Sequence, residues 1–369
     1  MKRKTIFIIS LLLLIFFASL FASAAEETDD TYSSQVNSSL FSSVDKSTRD
    51  VLEQFGIDDY KNAYNASFSN LADYFSSNLK EKASAALKCF FMLFMVTVLI
   101  ASVKTLASEN ESLDAFELLS VGVASLISIN CLYPAINSMI SVLALSGNFM
   151  KAYIPIFAGI IAASGKPSSA LSYNTLTLAG AEIMSAVSNS YALYIIGAFI
   201  SLSIAFSFNN NINIDRFNRA FSKTVSIAFG FFSGVFASAL TLKGTISAAV
   251  DSTSVKSVRY LISTMIPVVG SSISEAYSSI LGSIGLIKGS AAVIGIFSIL
   301  IINIPALAEG ALYYLVMNIL SAVGIALDCK RLSGFFGCLS CAVKFILLLI
   351  VFEIFLLIVS TGLMLSFRE

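Results

Sequence analysis

Long apolar stretches separated by short polar breaks dominate the chain from Cys89 onward. A transmembrane helix needs about 20 mainly apolar residues. Stretches of that kind lie at residues 89–107, 116–145, 175–207, 220–241, 290–308 and 335–366. The pattern therefore predicts an all-α, polytopic membrane helix bundle with about six spans.

Three further apolar stretches, at residues 153–164, 261–287 and 312–327, are short or interrupted, and each has a proline or glycine in or near it. Half-helices that re-enter the membrane or lie at its interface are the assignment we expect, because surrounding protein can bury their irregular backbone. The bundle is thus expected to contain broken or re-entrant helices.

Residues 258–290 combine a predicted helix break with a helix that has two different faces. Pro267 lacks an amide hydrogen and its ring crowds the preceding turn, so it should break or kink a helix. Beyond the break, small or polar residues recur at helical spacing and form one stripe, opposite a stripe of isoleucines. Residues 153–155 are weakly similar to residues 265–267, and paired segments of this kind often mark a central pathway. Pro155 is therefore added to the candidates. The candidate pathway and hinge residues are Pro267, Gly270, Ser271, Glu275, Ser278, Gly282 and Pro155.

Two interpretations of the small and polar stripe remain open. Small residues allow two membrane helices to approach closely, so the stripe is typical of a packing face. A carboxylate within a membrane is costly and is seldom left facing lipid, so Glu275 also fits the lining of a polar passage.

The N-terminal residues have the order of a secretory signal peptide. A basic start at residues 2–4 precedes an apolar run at 6–21 and the sequence Ala22-Ser23-Ala24, which predicts a signal peptide at 1–24. Residues 25–82 form a polar extracytoplasmic segment with an amphipathic helix over about residues 60–79. Residues 83–369 form the polytopic transmembrane domain.

The distribution of positive charge favours one orientation. With residues 25–82 outside, a six-span count places Arg216, Arg219, Lys223, Lys330 and Arg331 in the cytoplasm, as the positive-inside rule prefers. Lys243, Lys256, Arg259 and Lys288 fall outside and weaken the bias. The expected location is the cell membrane, with several passes and an extracytoplasmic N-terminal segment.

Composition supports the membrane class and narrows the chemistry. Hydrophobic residues make up 56% of the chain and charged residues only 12%, about half the share of a soluble domain. The net charge of zero gives no indication of nucleic-acid binding. The chain has no histidine, which removes the commonest catalytic base and metal ligand. We therefore expect no enzyme activity, no catalytic residue, no cofactor and no metal site.

Few polar residues in the apolar segments suggest specific chemistry. The lone pair Cys338 and Cys341 is expected to pack between helices. Residues 159–167 fail as a phosphate-binding loop because their glycine spacing is wrong and Pro167 occupies the Ser/Thr position. Glu353 lies deep in an apolar run, where either a hydrogen bond to a neighbouring helix or a contact with a partner would explain it. The other acidic residues in apolar surroundings are Glu182, Glu275 and Glu309, and Glu309 is expected at the interface.

These features resemble the stage III sporulation protein AE family of endospore-forming bacteria. The similarity covers nearly all of residues 55–369. Its most specific part is residues 243–288, with Gly244, Asp251, Pro267, Gly270, Glu275 and Lys288.

The resemblance implies a component of the channel, or feeding tube, that connects the mother cell with the engulfed forespore. The location it implies is the outer forespore membrane, derived from the mother cell. The implied partners are the other membrane proteins of the stage III operon, including a secretion-type ATPase, and a forespore membrane protein, together with the lipid bilayer.

Three functional hypotheses follow. The main one is a channel component that contributes a permease-like pathway or its gate and is required for forespore development. A structural scaffold that anchors and organises channel partners is the second. A stand-alone secondary transporter is the third.

Overall fold

The computed structural model describes residues 38–57, 68–106, 112–207, 214–265 and 270–366. All regular secondary structure within these ranges is helical, which confirms the all-α prediction. The helices are α1 (Lys46–Gln54), α2 (Phe68–Leu106), α3 (Ser112–Ala163), α4 (Pro167–Ala186), α5 (Ala192–Ser207), α6 (Ile214–Met265), α7 (Gly270–Ala326) and α8 (Lys330–Ser366), with a π-helical turn (Val187–Tyr191) between α4 and α5.

Five of these helices contain segments long and apolar enough to cross a membrane, in agreement with the polytopic prediction. They are Ser69–Lys104, Leu118–Ala163, Arg216–Val258, Ile287–Ala326 and Lys330–Ser366. The predicted span at residues 175–207 falls on α4, the π-helical turn and the shorter apolar segment Ala192–Ala205 of α5. Helices α3 and α6 have 52 residues each. At 1.5 Å per residue each is about 78 Å long and extends well beyond a hydrocarbon core of about 30 Å.

Two of the predicted half-helices are parts of longer helices in the structure. Residues 153–163 continue α3 through Pro155, and residues 312–326 continue α7 beyond Pro305. Proline removes one backbone hydrogen bond. Neighbouring helices in a membrane bundle can satisfy the carbonyl that is freed, so the helix continues.

The predicted break near Pro267 falls on residues 266–269, which lie outside the described residues, so it stays a prediction. Helix α6 ends at Met265 and α7 begins at Gly270. Ser271, Glu275, Ser278 and Gly282 belong to the first turns of α7, but their side chains lie outside the described part of the structure. The predicted signal peptide and residues 58–67 of the predicted amphipathic helix also lie outside it.

Helix α7 is the centre of the bundle. In its most apolar segment 83% of the residues are buried, whereas the corresponding figure for α6 is 6%. Helix α7 packs against α8, α2, α3, α6 and α1. The large apolar side chains on α6, such as Phe231, Phe232 and Leu242, are exposed, as expected of a helix that faces lipid.

A tight turn joins α3 to α4 at one end of the bundle. Gly165 adopts φ +79°, a left-handed conformation that glycine accepts without strain. The Lys166 N–H then donates to the Ile161 carbonyl at 3.3 Å, and Pro167 starts α4. The buried carboxylate of Asp251, on α6, accepts hydrogen bonds from the N–H groups of Ser168 and Ser169 at 2.9 and 2.8 Å. Asp251 thereby caps α4 from a neighbouring helix.

A second turn joins α7 to α8 and contacts the end of α2. Asp328 adopts φ 54° in this turn, and the Cys329 N–H donates to the Gly324 carbonyl at 2.8 Å. The Lys104 Nζ of α2 donates to the Asp328 carbonyl at 2.6 Å and lies 3.2 Å from its Oδ2. The C-terminal ends of α2 and α7 therefore lie at the same end of the bundle, close to Lys330.

Candidate functional site: a polar cluster inside the bundle

Polar side chains meet inside the apolar bundle, where α3, α4, α7 and α8 pack together. Burying such groups away from water is costly, and in a membrane they usually mark a functional site. The residues are Ser146 and Lys151 of α3, Glu182 and Ser185 of α4, Asn303 of α7 and Glu353 of α8, called the polar cluster below.

The inner half of the polar cluster is shielded from solvent. Ser146, Asn303 and Glu353 each have 0% of their surface exposed. The Asn303 Nδ2 donates to the Ser146 Oγ at 2.9 Å and to the Ile299 carbonyl at 2.8 Å. Because the Ser146 oxygen accepts in this contact, its own proton remains for another acceptor, and the nearby carboxyl group of Glu353 is one.

Glu353 lacks the partners that a buried carboxylate requires. Within the described part of the structure neither of its oxygens has a hydrogen-bond partner, and the Asn303 Oδ1 has none either. The Ser146 hydroxyl of α3 is nearby without reaching hydrogen-bonding geometry, so the hydrogen bond to a neighbouring helix stays a prediction. Complete burial in the single chain gives no support to the alternative of a direct contact with a partner.

A glycine makes room beside this carboxyl group. A Cβ atom placed on Gly147 would lie 3.4 Å from the Glu353 Oε1 and 3.6 Å from the Ser185 Oγ. Any larger residue at this position would enter the space between the two groups. Gly147 thus lets the carboxyl group of α8 face the hydroxyl group of α4.

The outer half of the polar cluster reaches the surface of the protein. The Lys151 Nζ donates to the Ser185 Oγ at 3.1 Å and lies 3.6 Å from the Glu182 Oε2. The side chains of Lys151 and Glu182 are 34% and 60% exposed, whereas Ser185 is 5% exposed. Polar groups therefore extend from an exposed ion pair inward to the buried Glu353.

Three of the four helices that form the polar cluster are irregular beside it. Pro155 has no N–H, so the carbonyl of Lys151, one turn earlier in α3, lacks its usual helical donor. The π-helical turn begins two residues after Ser185, and Pro305 follows Asn303 by two residues. Prolines and π-helical turns are the usual sites of helix bending, and π-helical turns are frequent at functional sites.

The sequence pointed to part of this site. Glu182 and Glu353 were noted as acidic residues in apolar surroundings and Pro155 as a candidate hinge residue, and the structure brings them to one region of the bundle. Lys151 was missed, although its position one turn before Pro155 is a detectable signal. Ser146, Ser185 and Asn303 were also missed, because isolated polar residues in apolar helices usually bond their own backbone.

The remaining candidates from the sequence lie elsewhere. Glu309 is half-buried in α7, and its Oε2 has no hydrogen-bond partner among the described residues. The Cys338 Sγ donates to the Asn218 Oδ1 at 2.8 Å, and the Cys341 Sγ lies 3.7 Å from the Asn218 carbonyl oxygen. The cysteine pair therefore packs α8 against α6, the role expected from the sequence.

The long apolar helices and the buried polar cluster together define a multi-pass helical membrane protein with a polar site inside its bundle. A comparison with known families identifies the particular group. The model of the stage III sporulation protein AE family matches residues 47–367, so the chain belongs to that family. Comparisons with curated proteins and with solved structures found no match. The chain is thus a multi-pass membrane protein of sporulation, and its family belongs to the stage III operon.

Proposed function

We propose that this protein is a non-enzymatic component of the channel between mother cell and forespore, and that its membrane body contributes a permease-like pathway or gate. It would lie in the outer forespore membrane, with its N-terminal segment outside the mother-cell cytoplasm. Its partners would be other stage III operon proteins, including a secretion-type ATPase, and a forespore membrane protein. Because the chain has no phosphate-binding loop, energy from ATP would come from the partner.

The polar cluster is the observation that carries this proposal within the family. A bundle that only anchors partners has no need to bury Glu353 at the meeting point of four helices, since the burial costs free energy. A gate requires helices that repack about a polar interior, and broken helices at mid-membrane sites are typical of transport proteins. Pro155, Pro305 and the π-helical turn do not break these helices, but they make them irregular beside the polar cluster, where helices usually bend.

Cysteine substitution tests the pathway. Single cysteines would replace Ser271, Glu275 and Ser278, and control cysteines would replace Ile273 and Ile280, in a chain without its natural cysteines. We expect a membrane-impermeant thiol reagent to label the first set faster in sporulating cells. Equal labelling of both sets would remove residues 271–287 as a lining, and the proposal would then depend on the polar cluster alone.

The scaffold hypothesis has its own structural support. Helix α1 packs against α7, so the N-terminal segment rests on the membrane body, as a platform for partners would. This alternative predicts that Glu275→Gln and Glu353→Gln leave spore formation unchanged. It also predicts that polar substitutions on the face with Tyr64, Phe68 and Leu71 abolish assembly of the partners. A stand-alone transporter would instead move its cargo when purified and reconstituted without partners.

A further inference from the structure

We propose that Glu353 is a proton-binding site, and that gain and loss of its proton control the packing of α3, α4, α7 and α8. This inference goes beyond the channel function and does not depend on it, because it concerns the purified chain.

The packed bundle fits the neutral acid and not the carboxylate. An ionised carboxylate in an apolar interior needs a cation or several hydrogen-bond donors to replace the water it has lost. In the described part of the structure, neither a cation nor a donor lies in hydrogen-bonding geometry with the Glu353 oxygens. A neutral carboxyl group carries one proton to donate, and hydroxyl oxygens of Ser146 and Ser185 lie on its side of the bundle.

The basic residues of the surrounding helices are engaged elsewhere. Lys151 bonds Ser185 and pairs with Glu182. Lys288 of α7 donates to the Met364 carbonyl, and Lys344 of α8 donates to Ser222 at 2.6 Å. Helix α5 has no charged residue.

The other titratable groups facing α8 are also engaged. From α6, Asp251 caps α4, and Phe229 packs against Phe352 at the level of Glu353. The hydroxyl groups of Tyr153 and Tyr173 face the Ala291 carbonyl and Thr361. None of these groups would balance a negative charge on Glu353.

The outer half of the polar cluster supplies a route for the proton. The proton would enter where Glu182 and Lys151 reach the protein surface, pass the Ser185 hydroxyl and arrive at the Glu353 carboxylate, and it would leave by the same groups. The reaction is a protonation, with no other bond made or broken. Loss of the proton leaves an unpaired negative charge among four helices. We expect these helices to bend apart at their irregular positions, which are Pro155, residues 187–191 and Pro305.

The test is a pH titration of the purified full chain in detergent, in sodium-free buffers. We expect the thermal unfolding temperature of the wild type to fall as the pH rises, because deprotonation places an unpaired charge in the core. Glu353→Gln, which stays neutral, should lose this fall. The matched control Glu81→Gln, exposed on α2 and outside the polar cluster, should keep it.

Infrared spectroscopy gives an independent readout. The carbonyl band of a protonated carboxylic acid should be present in the wild type at neutral pH and should shift in deuterium oxide. It should lose intensity in Glu353→Gln but not in Glu81→Gln. If Glu353→Gln does not fold, Glu353→Asp is measured instead, and the pH at which its unfolding temperature falls must differ from that of the wild type.

Two results would overturn the proposal. Identical pH profiles and infrared bands in wild type and Glu353 variants would mean that the residue exchanges no proton. In the second result, sodium chloride but not choline chloride restores the wild-type unfolding temperature at alkaline pH. That result would mean that the site binds a sodium ion instead.

Discussion

Gly295→Ala should destabilise the bundle strongly, because Gly295 lies against the ring of Tyr153. This ring is fully buried between Phe149 and Phe157, with centroid distances of 5.4 and 5.6 Å, and its hydroxyl group donates to the Ala291 carbonyl at 3.0 Å. A Cβ on Gly295 would lie 2.2 Å from the Tyr153 Cζ and 2.4 Å from its oxygen. The ring is held on both faces, so it has no free direction in which to move.

The cost follows from the two interactions that must change. Carbon atoms approach to about 3.5 Å, so the ring has to move by roughly 1 Å. Inserting a methyl group into a packed core costs about 1–3 kcal/mol, and loss of the tyrosine hydrogen bond adds about 0.5–1.5 kcal/mol. We therefore expect Gly295→Ala to lower the free energy of unfolding by about 1.5–4.5 kcal/mol.

The assay is equilibrium unfolding of the purified chain in detergent. Gly285→Ala is the matched control, because its Cβ would meet nothing within 4 Å and it lies in the same helix. Alanine is the better helix former, so Gly285→Ala should be neutral or stabilising. In a Tyr153→Leu background, Gly295→Ala should cost much less. Equal stability of the Gly295 and Gly285 variants would refute the reasoning.

Three further outcomes are expected. Asp251→Ala should destabilise the chain by about 0.5–2 kcal/mol through loss of the cap on α4, measured by unfolding against the exposed control Thr253→Ala. Gly324→Ala should also destabilise it, because its Cβ would lie 3.1 Å from backbone atoms of the next helix; Gly159→Ala, with open space, is the control. Partial burial raises the pKa of Asp45, but hydrogen bonds from Ser47 and Thr48 outweigh this and hold that pKa below its ordinary 3.8. The stabilisation of α1 by Asp45 is complete above pH 3.8 and is lost as the pH falls through the lowered pKa of the folded state. Hydrogen exchange should therefore show that α1 opens in acid in the wild type, and Asp45→Ala should show no such change.

Hydropathy predicted the class of fold because the bilayer imposes it. A span needs a long apolar run with all backbone groups bonded internally, and helices at five of the six predicted positions satisfy both conditions. Proline was less informative. Pro155 and Pro305 lie inside continuous helices, while Pro267 lies outside the described residues. Neighbouring helices decide whether a helix continues through a proline, and a single chain sequence does not display that packing.

The polar cluster was harder to predict because its members are far apart in the chain. Ser146 and Asn303 are separated by 157 residues, and each is an ordinary polar residue in an apolar helix. Which face of α3 meets which face of α7 depends on the whole bundle. The acidic residues could be identified from the sequence, because a carboxyl group in an apolar segment is unusual however the helices pack.

Glu353 connects the packing of the bundle to its proposed role. A side chain that only joined two helices would be held by hydrogen bonds, and one that met a partner would be exposed. Glu353 is buried, and among the described residues no donor is in hydrogen-bonding geometry with its oxygens. Its charge state must then depend on how closely the four helices pack, since closer packing favours the neutral acid and water entry favours the carboxylate. The same dependence works in reverse: protonation favours the closed bundle and deprotonation the open one. A gate built on this residue would therefore respond to the protons available on the side where Lys151 and Glu182 are exposed.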